Sequence, residues 1–176
     1  MALEDDMGLV EPLIDDIDQI PRIGFSKYRA YPPDILIEHD PRAGAACTYA
    51  HMVAEAERRW LDRRGIVPKD VRGLKVWLIE DYAVLRWKRM DADGRSRSYP
   101  TRQEQDFDLG LPLPGLPPPA IRLTAGYLAD PTQTQYVRTQ IARPRGKRVE
   151  WCIAIIPAAV PGRSATWEVV KRPLGF

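Results

Sequence analysis

Proline decides most of what this chain can become. There are 17 prolines in 176 residues, about twice the roughly 5% share of an average protein. A proline lacks a backbone N–H and clashes with the carbonyl four residues back. It therefore ends or kinks helices and is confined to edges and bulges of sheets. The chain is cut into short elements, and long helices are ruled out over most of its length. The exception lies between Pro41 and Pro68. Asp40 is a good N-cap and Pro41 suits the first helical position. Ala46, Tyr49, Ala50, Val53, Ala54, Trp60 and Leu61 form an apolar stripe at helical spacing. Arg63 and Arg64, then Gly65, Ile66 and Pro68, read as a stop. The spacing predicts a helix over 41–64.

Beyond it the period changes from helical to two. Lys75–Glu80 and Tyr82–Met90 read as strands, Asp91–Gly94 as a turn, and Arg95–Thr101 as an edge strand because it contains Pro100. Gln103–Leu109 stays ambiguous. Leu111–Pro119, LPLPGLPPP, is a polyproline-II-like connection. A three-stranded meander follows: Ile121, Leu123, Ala125 and Tyr127 alternate with polar or small residues, then Val137, Thr139 and Ile141, then Val149, Trp151, Ile153 and Ile155. Thr166–Val170 is one further strand. Upstream, Arg22–Asp40 reads as an extended crossing segment with a short strand at Ile35–Glu38. The expected fold class is α+β: one main α-helix packed on an antiparallel β-sheet or partial barrel. A chain this long buries roughly 68–70% of its unfolded surface and needs no staple.

Charge suggests how the chain is divided. Overall it is +2, yet the first 21 residues hold seven acids and no Lys or Arg, leaving 17 acids against 26 bases in the remainder. Leu13, Ile14, Ile17 and Ile20 share one helical face, with Asp15, Asp16 and Asp18 on the other. Pro12 fits the first turn of such a helix and Pro21 ends it. Residues 1–24 are thus expected as an acidic amphipathic arm on a single domain, 25–176. Leu13, Ile14, Asp15, Asp16, Ile17 and Asp18 are its candidate partner-binding residues, since charge asymmetry of this kind marks interaction tails. An alternative is that the arm folds over the basic body and neutralises it.

The bases are 20 Arg and 6 Lys. Arg86, Lys88 and Arg89 lie on one proposed strand and Arg95 and Arg97 beyond its turn. Arg143, Arg145, Lys147 and Arg148 surround a second turn. Trp77, Tyr82, Trp87, Tyr99 and Tyr136 are interleaved with them, as in proteins that track phosphates and stack bases. The plainer reading is charge spread over exposed faces, with the aromatics in the core.

No assembled catalytic set is visible. His51 and Glu55 have the i, i+4 spacing of a ligand or base pair, Cys47 lies one turn before His51, and His39 precedes the same helix. There is no H-E-x-x-H, P-loop, G-x-G-x-x-G or G-x-S-x-G. Cys47 and Cys152 have no metal spacing and read as buried, reduced thiols. No metal and no cofactor is expected. No stretch approaches the ~18 apolar residues of a membrane helix, and MALEDDMGLV has no apolar signal region. A cytoplasmic location follows as an expectation. The leading expectation is a non-enzymatic binding or regulatory protein, in the style of a bacterial accessory or inhibitory factor, whose partner is another protein. Self-association stays open. Nucleic-acid binding by the basic hairpins is the second reading, and a small hydrolase-like enzyme around Cys47, His51 and Glu55 the third.

Overall fold

A computed structural model describes residues 2–97, 100–118 and 120–172. The fold is α+β, with five α-helices, a short 3-10 turn at Glu11–Leu13 and an open seven-stranded sheet among the described residues. The helices are α1 (Ala2–Val10), α2 (Ile14–Arg29), α3 (Pro33–Glu38), α4 (Pro41–Trp60) and α5 (Arg102–Leu109). The strands are β1 (Ile66–Val71), β2 (Leu74–Ile79), β3 (Ala83–Arg89), β4 (Ile121–Ala129), β5 (Tyr136–Arg145), β6 (Arg148–Ile156) and β7 (Thr166–Lys171). They lie in chain order across the sheet. Every neighbouring pair is antiparallel except β3–β4, which is parallel. Parallel neighbours need a long crossover. Here that crossover carries a strap at 90–97, α5 and the proline-rich connection.

Alternation along each strand sorts side chains to two faces. Trp77 and Ile79, Leu85 and Trp87, Leu123 and Ala125, Ile141, Trp151 and Ile153 share one buried cluster with residues of α1, α2 and α4. Trp60 of α4 sits 5.8 Å from Trp87 and 6.3 Å from Trp77, ring to ring. Phe25 of α2 lies 5.5 Å from Tyr127. The opposite face is covered in patches. Val71, Leu74, Val76, Leu78 and Val84 pack with Phe107 of α5 and with Leu113 and Leu116 of the proline-rich connection. Met90, Ala142, Val149 and Cys152 form a smaller cluster. Gly94 of the strap, at φ +83°, presses onto it so closely that a Cβ there would lie 2.7 Å from Cys152 Sγ. The sequence turn at 91–94 is therefore held against the sheet.

The first 24 residues are not a separate arm. Leu3, Met7, Val10, Leu13, Ile14, Ile17 and Ile20 are buried in the main cluster. The amphipathic face read in the sequence is real, but the surface that covers it is the chain's own sheet. Pro21 does not end the helix: it sits inside α2, buried. The cost of its missing hydrogen bond is offset by packing on both sides, through Ile17 and Ile20 before it and Phe25 after. Two long helices, α2 and α4, replace the single one expected, and the sheet is open, not a barrel.

Smaller corrections have local causes. Ile35–Glu38 belongs to α3, a helix with Pro33 in its first turn, and not to a strand. The helix expected to reach Arg64 stops at Trp60, where Leu61 turns to ψ 127° and Asp62 takes φ 57°. Gly65 therefore leads into β1, its carbonyl accepting from Glu80 N at 2.7 Å. The expected edge strand Arg95–Thr101 is reduced to an isolated bridge between Met90 and Ser96; Ser98 and Tyr99 lie outside the described residues. No helix among the described residues is long and apolar enough to cross a membrane.

Candidate functional site: a basic cleft beside the β5–β6 hairpin

The alternation that buries Leu85 and Trp87 among the helices turns Arg86 and Lys88 to the opposite face. The register sets Arg86 beside Thr124 and Val84 beside Arg122. Above them α5 presents Glu104 and Asp108, one turn apart. Thr101 caps this helix reciprocally with Glu104, and Gly110 closes it in the left-handed region at φ 68°. The β5–β6 hairpin tip leans against the far end of α5, with Gly146 N donating to the Asp108 carbonyl at 2.8 Å. The strap is tied to the sheet by Gln140 Nε2 donating to the Asp91 carbonyl, 2.8 Å, and by Arg138 donating to the Ala92 carbonyl, 3.2 Å.

Between α5, the strap and the hairpin lies a cleft of about 480 Å³. Arg86, Arg95, Lys147 and Arg148 line it, against Glu104 and Asp108; Thr124, Pro100, Leu109, Pro144 and Val149 complete the wall. Arg86 forms its floor and is only 2% exposed. Its Nε donates to Thr124 Oγ1 at 3.0 Å and Nη2 pairs with Asp108. Lys88 pairs with Glu104. Burial pushes the Asp108 carboxyl upward while the neighbouring Arg86 guanidinium pulls it down; burial prevails. The same burial lowers Arg86, which the Asp108 charge partly restores. Asp108, Leu109 and Pro144 also wall a second cavity, lined by Arg122, Arg143 and Arg145 together with Glu150.

Six of the nine bases singled out in the sequence thus converge: Arg86, Arg95, Lys147 and Arg148 on the first cavity, Arg143 and Arg145 on the second. Lys88 is one contact away. Arg97 is exposed on the strap. Arg89 points elsewhere, donating to the Pro41 carbonyl and Gln133 Oε1. The aromatics do not join them. Trp77 and Trp87 are fully buried in the helix-side core, and half-buried Tyr136 stacks there on Tyr127 and meets Phe25 edge-on. Burial raises the Tyr136 hydroxyl far above its ordinary value. Tyr82 is exposed, and Tyr99 lies outside the described residues.

Three acids of the N-terminal strip, Asp6, Asp16 and Asp18, are paired with bases on the helix side. Asp6 accepts from Arg143 at 2.6 Å and from Trp151 Nε1 at 3.2 Å. Asp16 accepts from Arg59, Arg63 and Trp60 Nε1. Asp18, 1% exposed, accepts from Arg22 and Thr139 Oγ1, and Asp15 from Ala165 N. Four of the six proposed partner-binding residues, Leu13, Ile14, Ile17 and Asp18, are buried; Asp16 is half-buried and Asp15 exposed.

The proposed enzyme cluster comes apart. Glu55 is buried and held by Arg58 and by Arg59 at 2.7 Å, not by His51. Burial pushes its carboxyl up, but the two guanidinium groups outweigh that and leave it lowered. His51 Nε2 instead shares a 2.7 Å hydrogen bond with the Tyr31 hydroxyl, and His39 Nδ1 one of 3.2 Å with Tyr28. Both histidines contact the Tyr31 ring, at 5.6 and 6.3 Å. Cys47, half-buried, makes no hydrogen bond to either among the described residues. No group of three metal-ligating side chains occurs among those residues.

Set against known protein families, curated proteins and solved structures, the chain matches none. Sequence reading missed Arg122, Glu104 and Asp108. The T-x-x-E run at Thr101–Glu104 was the available signal: a capping box places the next turn's Asp108 on the face that Glu104 occupies.

Proposed function

We propose that this protein is a non-enzymatic binding protein that engages an acidic surface of another protein through the cleft between α5, the strap and the β5–β6 hairpin. The observation that supports this reading is the imbalance of paired charge. Arg95, Lys147 and Arg148 of the cleft, and Arg145 beside it, have no carboxylate within salt-bridge distance among the described residues, whereas Asp6, Asp16 and Asp18 of α1 and α2 are each paired with a base. An unmatched basic rim attracts a negative partner and accelerates encounter. Glu104, Asp108 and Glu150 interrupt the bases. A partner of mixed charge suits that pattern better than a continuous phosphate track. The burial of Trp77 and Trp87, and the packing of half-buried Tyr136 against Tyr127 and Phe25, take up three of the candidate base-stacking groups, which also favours protein over nucleic acid.

Fluorescence polarisation of labelled poly-glutamate and of a labelled single-stranded oligonucleotide, at low and moderate salt, tests the reading. The expected result is salt-sensitive binding of poly-glutamate that Lys147→Glu with Arg148→Glu abolishes. Failure of both probes to bind at low salt would overturn it. Tighter, equally mutation-sensitive binding of the oligonucleotide would replace it with the nucleic-acid reading. Removing residues 1–21 is not a usable test, because it deletes α1 and half of α2 from the core.

A further inference from the structure

Among the described residues, Arg122 on β4 has the most buried side-chain nitrogens without a hydrogen-bond partner. It is 8% exposed. Its Nη2 donates to the Leu111 carbonyl at 3.0 Å, but Nε and Nη1 are buried with no hydrogen-bond partner among the described residues. No carboxylate pairs with it there. The guanidinium lies 5.3 Å from the Phe107 ring, which also takes Arg86 at 4.5 Å. A cation–π contact contributes roughly 0.5–2 kcal/mol, less than the several kcal/mol that an unpaired buried charge costs. Burial accordingly lowers the Arg122 pKa, yet a guanidinium does not lose its proton in a protein. A positive charge is held in place without its counter-charge.

Arg122 lines the second cavity, about 570 Å³, between the proline-rich connection and the β5–β6 hairpin. Its other charged side chains are largely spent. Arg143 pairs with Asp6 and Glu150, and Asp108 pairs with Arg86. Arg122 and Arg145 remain without acids. The rest of the wall is apolar: Pro112, Leu116, Pro118 and Ile121. Two unmatched guanidinium groups above an apolar wall suit a compact dianion on a small apolar body. We propose that this cavity binds an organic phosphate monoester, its phosphate between Arg122 and Arg145 and its body against the proline-rich connection. Guanidinium forks match phosphate geometry, and a monoester carries about −1.5 to −2 at neutral pH, which balances the two arginines. The inference does not rest on the macromolecular reading: the two share Arg145, but Arg122→Leu leaves Arg95, Arg145, Lys147 and Arg148 untouched.

Calorimetric titration of the full chain with phenyl phosphate, inorganic phosphate and benzoate, at constant ionic strength, tests it. Phenyl phosphate should saturate one site and benzoate should bind at least about tenfold more weakly, a difference near 1.4 kcal/mol. Inorganic phosphate matching phenyl phosphate would assign the cavity to the free ion and uphold the oxyanion site. Arg145→Ala, at an exposed position, should weaken binding about tenfold. Arg122→Leu should abolish binding while leaving the ligand-free protein as stable as before or more so, since it removes an unmatched buried charge. Lack of saturable phosphate binding by the native chain overturns the proposal. So does benzoate binding equal to phenyl phosphate, or binding indifferent to both substitutions.

Discussion

The two faces of one sheet are built on opposite terms. On the helix side the buried acids Asp6 and Asp18 and the half-buried Asp16 have each found a base together with an indole or a hydroxyl: Asp6 with Arg143 and Trp151, Asp16 with Arg59 and Trp60, Asp18 with Arg22 and Thr139. Three tryptophans, Trp60, Trp77 and Trp87, interlock beneath them. On the α5 side the cover is a strap, a short helix and a proline-rich connection, and Arg122 lies beneath it unpaired. Protein interiors match buried charge because an unmatched one is costly. A face that satisfies this rule is built for stability. A face that breaks it beside two cavities is the one to suspect of meeting a ligand.

The comparison can be broken at its strongest point first. Trp87→Ala, in the middle of the helix-side core, should lower unfolding free energy by about 3–5 kcal/mol, read by denaturant titration. A cost under about 1 kcal/mol would mean that the tryptophan cluster is not the centre of the fold. Next in size is Asp18→Ala. It strips Arg22 and the buried Thr139 hydroxyl of their acceptor and should cost about 2 kcal/mol. Were Asp18 a surface acid waiting for a partner, the loss would fall within about 0.5 kcal/mol.

That second prediction shows where the sequence was legible and where it stopped. The meander β4–β6 and the strands β2 and β3 could be read because period-two alternation is set locally. The helix α4 could be read from Asp40 and Pro41. The amphipathic face of Leu13, Ile14, Ile17 and Ile20 was equally plain, but an apolar stripe does not say what covers it. An acidic strip that docks on its own body and one that docks on another protein have the same periodicity. Pro21 misled for a related reason: tertiary packing on both sides carries α2 through a residue that would stop an isolated helix. In the site, the hairpin bases were visible as a cluster along the chain. Arg122 was not, because it is one arginine at one alternate position of a strand. Its significance lies in a partner it lacks, which only the packing reveals.

A third prediction probes the small cluster under the strap. Burial pushes the Cys152 thiol up to about 12, against about 8.5 for an unfolded chain. The folded state therefore holds this proton where the unfolded state releases it. Stability from this group is fully present below about pH 8.5 and is lost as pH rises toward the folded value. Between pH 8.5 and 9.5 the native protein should lose about 1 kcal/mol more than Cys152→Ala does. Cys47 is common to both proteins and cancels. Parallel pH profiles would mean that the strap opens readily and Cys152 is not sealed by Gly94.

The smallest expected effect is the one that separates the faces most sharply. Lys147 and Arg148 are exposed at the hairpin tip and make no ion pair among the described residues. Lys147→Ala and Arg148→Ala should each change unfolding free energy by no more than about 0.5 kcal/mol, while the paired charge reversal removes poly-glutamate binding. Stability and binding would then map to different sides of the sheet, as their charge pairing suggests. If either alanine cost more than about 1 kcal/mol, the hairpin bases would be structural, held by contacts as specific as those of Asp6 and Asp18. The two faces would then differ in degree only, and the unmatched rim would lose its claim as an interaction surface.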